Sequence, residues 1–114
     1  YRQGMLVEVP VQLWSLASDA TPDQIRDVLS AHYAGERFVS VAGADETAEI
    51  ANIDPEGLNH TNEMKLFVFG NEETEQVRLV ALLDNLGKGA SGAAVQSMNL
   101  VLGIDEATGL APDA

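Results

Sequence analysis

With 114 residues, 46% of them hydrophobic and 21% charged, the sequence has the length of one domain and too much apolar content to stay disordered. Eighteen Asp and Glu against six Lys and Arg give a net charge of −12, which repels phosphate backbones and argues against nucleic-acid binding. Zero cysteines exclude disulfides, thiolate zinc sites and a cysteine nucleophile within these residues. No run approaches the roughly 18 apolar residues of a membrane span, and no basic-then-apolar leader opens the sequence. A cytoplasmic location, away from membranes, is therefore expected.

Met5, Val7, Val9, Val11 and Leu13 alternate with Glu8, Pro10 and Gln12. This period of two predicts a strand with the first set on its buried face. Pro10 cannot donate to a ladder, so the strand lies at an edge there or carries a bulge. Thr21 as N-cap, Pro22 at the first helical position and Gln24 completing a capping box then predict a helix. Ile25, Val28 and Leu29, with His32 and Tyr33 beyond them, form its apolar stripe, and Gly35 suits a left-handed end. Residues 37–42 read as a second strand.

From Gly43 to Asn62 the periodicity dissolves. Asp45, Glu46, Glu49, Asp54 and Glu56 appear with no Lys or Arg, which describes a solvated connection with a turn at 54–57. Residues 64–69 and 76–83, joined by the polar loop 70–75, predict an antiparallel pair. Their near-continuous apolar runs place them centrally, buried on both faces. A glycine-rich turn, 84–92, then feeds a helix over 93–102 that Gly103 ends. Val95, Met98 and Leu102, with Ala94 and Val101, recur on it at helical spacing. The order predicts an α+β domain around a mostly antiparallel mixed sheet with helices packed on one face.

The turn at 84–92 is the segment best suited to chemistry. Three glycines and Lys88 at a strand-to-helix junction can set backbone N–H groups and a cation around an anion. The spacing is not that of a Walker loop. Gly87, Gly89 and Gly92 match a dinucleotide fingerprint formally, but no βαβ unit follows them. From spacing alone, a closely packed glycine turn outweighs a phosphate site by about two to one. His60 has no neighbouring Ser, Cys or acid that marks a dyad, and capping of a turn by Asn59, Thr61 and Asn62 is the more economical reading. His32 falls near an apolar helix stripe, and two isolated histidines give no metal-ligand spacing. Arg2 is either a carboxylate or phosphate contact or a frayed terminus, and the sequence favours the second.

The runs QGMLVEVP at 3–10, LNHTN at 58–62 and DNLGKGASGAAVQ at 84–96, with MNLVLG at 98–103 and TGL at 108–110, resemble N-acetyl-gamma-glutamyl-phosphate reductase in its shorter bacterial form. The resemblance implies an NADP-dependent oxidoreductase of arginine biosynthesis, which reduces an acyl phosphate to a semialdehyde. It implies a Rossmann domain and a second α+β domain like those of glyceraldehyde-3-phosphate and aspartate-semialdehyde dehydrogenases. The family's thioester-forming Cys is absent here, and its acid/base His belongs to a motif before Tyr1. The chain thus reads as a C-terminal portion, inactive alone.

On this reading residues 1–84 are the dimerisation domain. Residues 85–114 are a cofactor-side loop and a helix that packs on the Rossmann domain of the same polypeptide. The resemblance implies that Asn85, Gly87, Lys88, Gly89 and Ala90 reach the nicotinamide side of NADP, with Asn85 on its carboxamide. Arg2 and Asn62 are weaker candidates for the substrate. The apolar strands at 64–69 and 76–83 suit an interface in a homo-oligomer, at least a dimer. The alternatives are a stand-alone α+β module holding a small anion or nucleotide at Gly87–Gly92, and an assembly domain with no ligand.

Overall fold

A computed structural model describes residues 1–110; positions 111–114 of the segment assigned above to the C-terminal helix region lie outside the described residues. Four strands, β1 (Met5–Gln12), β2 (Val39–Val41), β3 (Met64–Asn71) and β4 (Gln76–Leu83), form one sheet in the order β1-β4-β3-β2. Both β4 pairings are antiparallel, while β2 runs parallel to β3. Three helices, α1 (Pro22–His32), α2 (Ala44–Glu49) and α3 (Gly92–Leu102), complete the α+β architecture. No helix among the described residues is long and apolar enough to cross a membrane.

Register divides the sheet residues between two faces. Val9, Leu79 and Val68 stand in one row, and Glu8, Val80 and Phe67 in the next row, on the opposite face. On the first face, Leu13, Val68 and Val77 pack with Ile25 and Leu29 of α1. On the second, Ala42, Phe67, Val80 and Leu82 are covered by Ile50, Ile53 and Leu58 of the connection after α2. The central hairpin thus carries core on both sides, as its continuous apolar runs predict.

β1 departs from the expectation drawn from its alternation. Met5, Val7 and Val9 do share a face, but Val7 and Val9 are 44% and 49% exposed, because α1 covers only the far end of that face. Val11 and Leu13, at the end that α1 covers, do pack into the core as expected, and Leu6 reaches the second core from the other side. Pro10 lies in an edge strand, the first of its two permitted settings. Leu13 N–H donates to Glu75 O at 2.8 Å, so odd-numbered residues turn their amides toward β4 and even-numbered ones turn outward. The ring nitrogen of Pro10 therefore faces the free edge.

The start of α1 follows its sequence. Gln24 N–H donates to Thr21 Oγ1 at 3.2 Å, and Thr21 N–H donates to Gln24 Oε1 at 3.0 Å. Its stripe is narrower than expected: Val28 is 68% exposed and His32 is exposed, leaving Ile25 and Leu29 to do the packing. Tyr33 caps the helix, and Gly35 takes its positive φ of 82° two residues later. β2 pairs only with Met64–Leu66, which leaves the Val68 carbonyl beyond it without a strand neighbour. Arg26 Nη2 donates to that carbonyl at 3.0 Å.

The acidic connection is not wholly irregular. Ala44–Glu49 forms one short helix whose Thr47 hydroxyl donates back to Gly43 O at 2.7 Å. Six residues without an apolar stripe give no periodic signal, which is why sequence reading passes over it. The turn at 54–57 does form, with Gly57 N–H on Asp54 O at 3.0 Å. α3 starts one residue earlier than predicted, after a π-helical turn at Gly87–Ser91, and ends on Gly103 at φ 69°. It packs chiefly on that turn, and Met98, Leu100, Val101 and Leu102 face solvent, Val101 with 87% of its surface.

Candidate functional site

Beyond Met5 and Leu83 the β1–β4 ladder is continued by side chains. Gln3 Nε2 donates to Asp84 Oδ2 at 2.8 Å, and Gly4 N–H donates to Asn85 Oδ1 at 2.8 Å. Asp84 is 1% exposed. Its Oδ2 also accepts from His60 N–H at 2.7 Å, and its Oδ1 accepts from Leu86 N–H at 2.9 Å. Burial by itself pushes the carboxyl pKa up. The donors from His60, Gln3, Leu86 and Gly87 outweigh it and hold the group below the ordinary aspartate range. An ionised carboxylate thus fastens three segments: the lead into β1, the turn at 58–62 and the glycine-rich turn.

Close backbone approach explains the glycines. A Cβ on Gly87 would stand 2.6 Å from Thr61 O, and one on Gly4, which holds φ 99°, would meet the Pro55 carbonyl carbon at 2.9 Å. Between these segments lies an open cleft of about 300 Å³ lined by Gln3, His60, Asn62, Asp84, Gly87 and Gly92, among others. His60 holds φ 67° there, and its backbone N–H is committed to Asp84.

The polar residues around the loop are largely tied to one another. Lys88 Nζ donates to Gln96 Oε1 at 2.6 Å and sits 5.9 Å over the Phe38 ring. Burial lowers its pKa, against the opposing pull of Glu106 and Glu36. Asn62 Nδ2 donates to the same Gln96 oxygen at 2.9 Å, and Gln96 Nε2 donates to Glu106 Oε2 at 2.9 Å. Asn62 is buried, and its Oδ1 has no hydrogen-bond partner.

Of the residues singled out from the sequence, Asn62 and Gly87 line this cleft, and Asn85, Lys88, Gly89 and Ala90 continue the same turn. Arg2 is exposed, does not line the cleft and forms no ion pair among the described residues. His32 lies on α1, edge-on to Tyr33 at 4.7 Å between ring centroids. Gln3, Asp84 and Gln96 were missed. The signal for Asp84 was present: a lone carboxylate closing an apolar strand just before a glycine-rich turn. The site offers amides and a held carboxylate but no thiol, and so suits binding and orientation rather than nucleophilic attack.

A sequence model described as the semialdehyde dehydrogenase dimerisation domain matches residues 1–85. The chain belongs to that family. Within this dimerisation domain the matched stretch ends at Asn85, one residue beyond the buried clamp of Asp84. Among individual proteins, the chain is similar to the N-acetyl-gamma-glutamyl-phosphate reductase of Brucella anthropi, with 53% identity over 103 residues that cover 90% of this chain and 33% of that protein. The reductase of Allorhizobium ampelinum is 53% identical over 102 residues, with the same coverage on each side. N-acetyl-gamma-glutamyl-phosphate reductase 2 of a Nostoc species is 44% identical over 113 residues, covering 96% of this chain and 35% of its own. The chain thus spans about one-third of the length of the curated relatives it matches.

Proposed function

We propose that this chain is the dimerisation and cofactor-side portion of an N-acetyl-gamma-glutamyl-phosphate reductase. The whole enzyme would convert the acyl phosphate to a semialdehyde and release phosphate, with NADPH as the reductant. The observation that carries this reading is 53% identity over 103 residues, a match longer than the 85-residue domain and therefore running into the glycine-rich turn and α3.

The turn fits a nicotinamide. Gly4 N–H occupies the side-chain carbonyl of Asn85, and the Asn85 Nδ2 donor has no partner among the described residues, so it is left for a carboxamide oxygen. Gly87 and Gly89 keep the turn close to Thr61 O and Leu83, which a Cβ at either position would crowd. Bound there, the cofactor supplies a hydride; the residues of this chain orient it and narrow the cleft. The nucleophile and the acid/base belong to the rest of the polypeptide, and the isolated chain has no turnover. Lys88 is held by Gln96 and Phe38, which weighs against an anion site that works unaided.

Two uncovered apolar surfaces support the assembly. The row Met5, Val7 and Val9 is the face offered to a second copy, and Met98, Val101 and Leu102 of α3 are the face offered to the nucleotide-binding domain of the same polypeptide. The assembled protein works in the cytoplasm.

The test is a chimera in which the matched third of the Brucella anthropi reductase is replaced by this chain. Acyl-phosphate-dependent NADPH oxidation is the expected result. A folded, oligomeric chimera without it overturns the reading. Micromolar NADPH binding by the chain alone would instead support the stand-alone nucleotide module.

A further inference from the structure

We propose that Asp84 is a positioning residue: its buried carboxylate sets the orientation of the glycine-rich turn and, through Gln3 and Gly4, of the Asn85 side-chain amide. For the part concerning a nicotinamide ligand, this rests on the reading given under Proposed function. The geometric part stands by itself.

Three observations carry the inference. The carboxylate is 1% exposed and forms no ion pair among the described residues, so neutral donors alone hold its charge. Those donors come from three segments far apart in sequence: Gln3, His60 and Leu86. The neighbouring residues Gln3–Gly4 and Asp84–Asn85 then bond as two rungs, Gln3 to Asp84 and Gly4 to Asn85. Releasing Gln3 loosens the strand lead that holds the Asn85 carbonyl. Asp84 O also accepts from Gly89 N–H at 2.9 Å, so the same residue ties the turn at its middle.

An asparagine at position 84 keeps the shape but replaces one acceptor oxygen with an NH₂ facing N–H donors. A buried carboxylate is satisfied only when every donor finds an oxygen, and loss of such a bond costs far more than it would in water. Asp84→Asn should therefore free the turn while leaving the hairpin core, which shares none of these bonds, in place. Gln3→Ala removes a single rung and buries no misplaced donor.

The first test is amide hydrogen exchange on this chain. In Asp84→Asn, and more weakly in Gln3→Ala, protection at Leu86 and Gly89 should fall about tenfold or more while Val68 and Val80 keep theirs. An equal fall at core and turn, or no fall at the turn, overturns the proposal. Should Asp84→Asn not fold, Gln3→Ala decides by the same criterion. The second test uses the chimera described above. Asp84→Asn should raise the KM for NADPH at least tenfold with a much smaller change in the KM for the acyl phosphate, and adding Asn85→Ala should raise it little further. Additive effects overturn the link from Asp84 to Asn85. An unsubstituted chimera that folds but is inactive counts against the functional reading alone, and the exchange data then decide the role of Asp84.

Discussion

The carbonyl oxygen of the Asn62 side chain occupies the space that a Cβ on Gly92 would need. The same Cβ would also stand 2.7 Å from Gly87 O. Asn62 cannot withdraw, since its amide is bonded to Gln96 and the residue is buried. Gly92→Ala should therefore destabilise the chain by about 1–3 kcal/mol, the usual cost of overpacking. Gly43→Ala meets nothing within 4 Å and should change stability by less than about 0.5 kcal/mol. Urea unfolding of the two variants checks the contrast, and equal midpoints would sink it.

Asp84 gives the stability a pH signature. Its folded pKa lies below the ordinary value of 3.8, so its contribution is complete above that value and is lost as pH falls through the lowered one. Wild type should exceed Asp84→Asn by about 1–3 kcal/mol at neutral pH, and the gap should close in acid below 3.8. Parallel melting curves across pH 7 to about 2 measure it. A gap that persists unchanged in acid would mean the carboxylate is not held ionised.

Val7 and Val9 stand mid-way along β1, exposed on the edge strand of the sheet. Val9→Asp places a carboxylate in the row offered to a second copy, where desolvation and repulsion between symmetric charges both oppose pairing. Sedimentation should show at least a tenfold weaker dimer with unchanged circular dichroism. An unaltered dimer would move the interface elsewhere.

Thr21→Ala removes the hydroxyl that accepts from Gln24 N–H. Since Arg26, one turn further on, closes the Val68 carbonyl, fraying at this end reaches the sheet. A loss of about 1 kcal/mol in denaturant unfolding is expected.

The parts legible in the sequence are those governed by neighbours along the chain. Thr21, Pro22 and Gln24 satisfy helix donors within one turn, and the hairpin at 64–83 declares itself by two apolar runs and a polar loop. Gly103 ends α3 for the same local reason. What stayed hidden depends on partners far away in sequence. Alternation in β1 marks Met5, Val7 and Val9 as one apolar face but carries nothing about what covers it, and here α1 reaches only the far end. The burial of Asp84 depends on Gln3, 81 positions away, and on His60, 24 away. The tethering of Lys88 to Gln96 likewise turns a cation that looks free in the sequence into a neighbour of Phe38.

Pro10 also bears on how copies of this chain can meet. The outer edge of β1 is a row of backbone donors and acceptors, and such a row invites another strand to continue the sheet without limit. With its ring nitrogen directed outward, Pro10 removes a donor from the middle of that row and sets its ring where an incoming strand would lie. Growth into a fibre through strand edges is thereby interrupted at one residue. What β1 still offers a neighbour is its apolar face, and if two copies pair through it about a two-fold axis, the identical faces consume each other and the contact closes on itself.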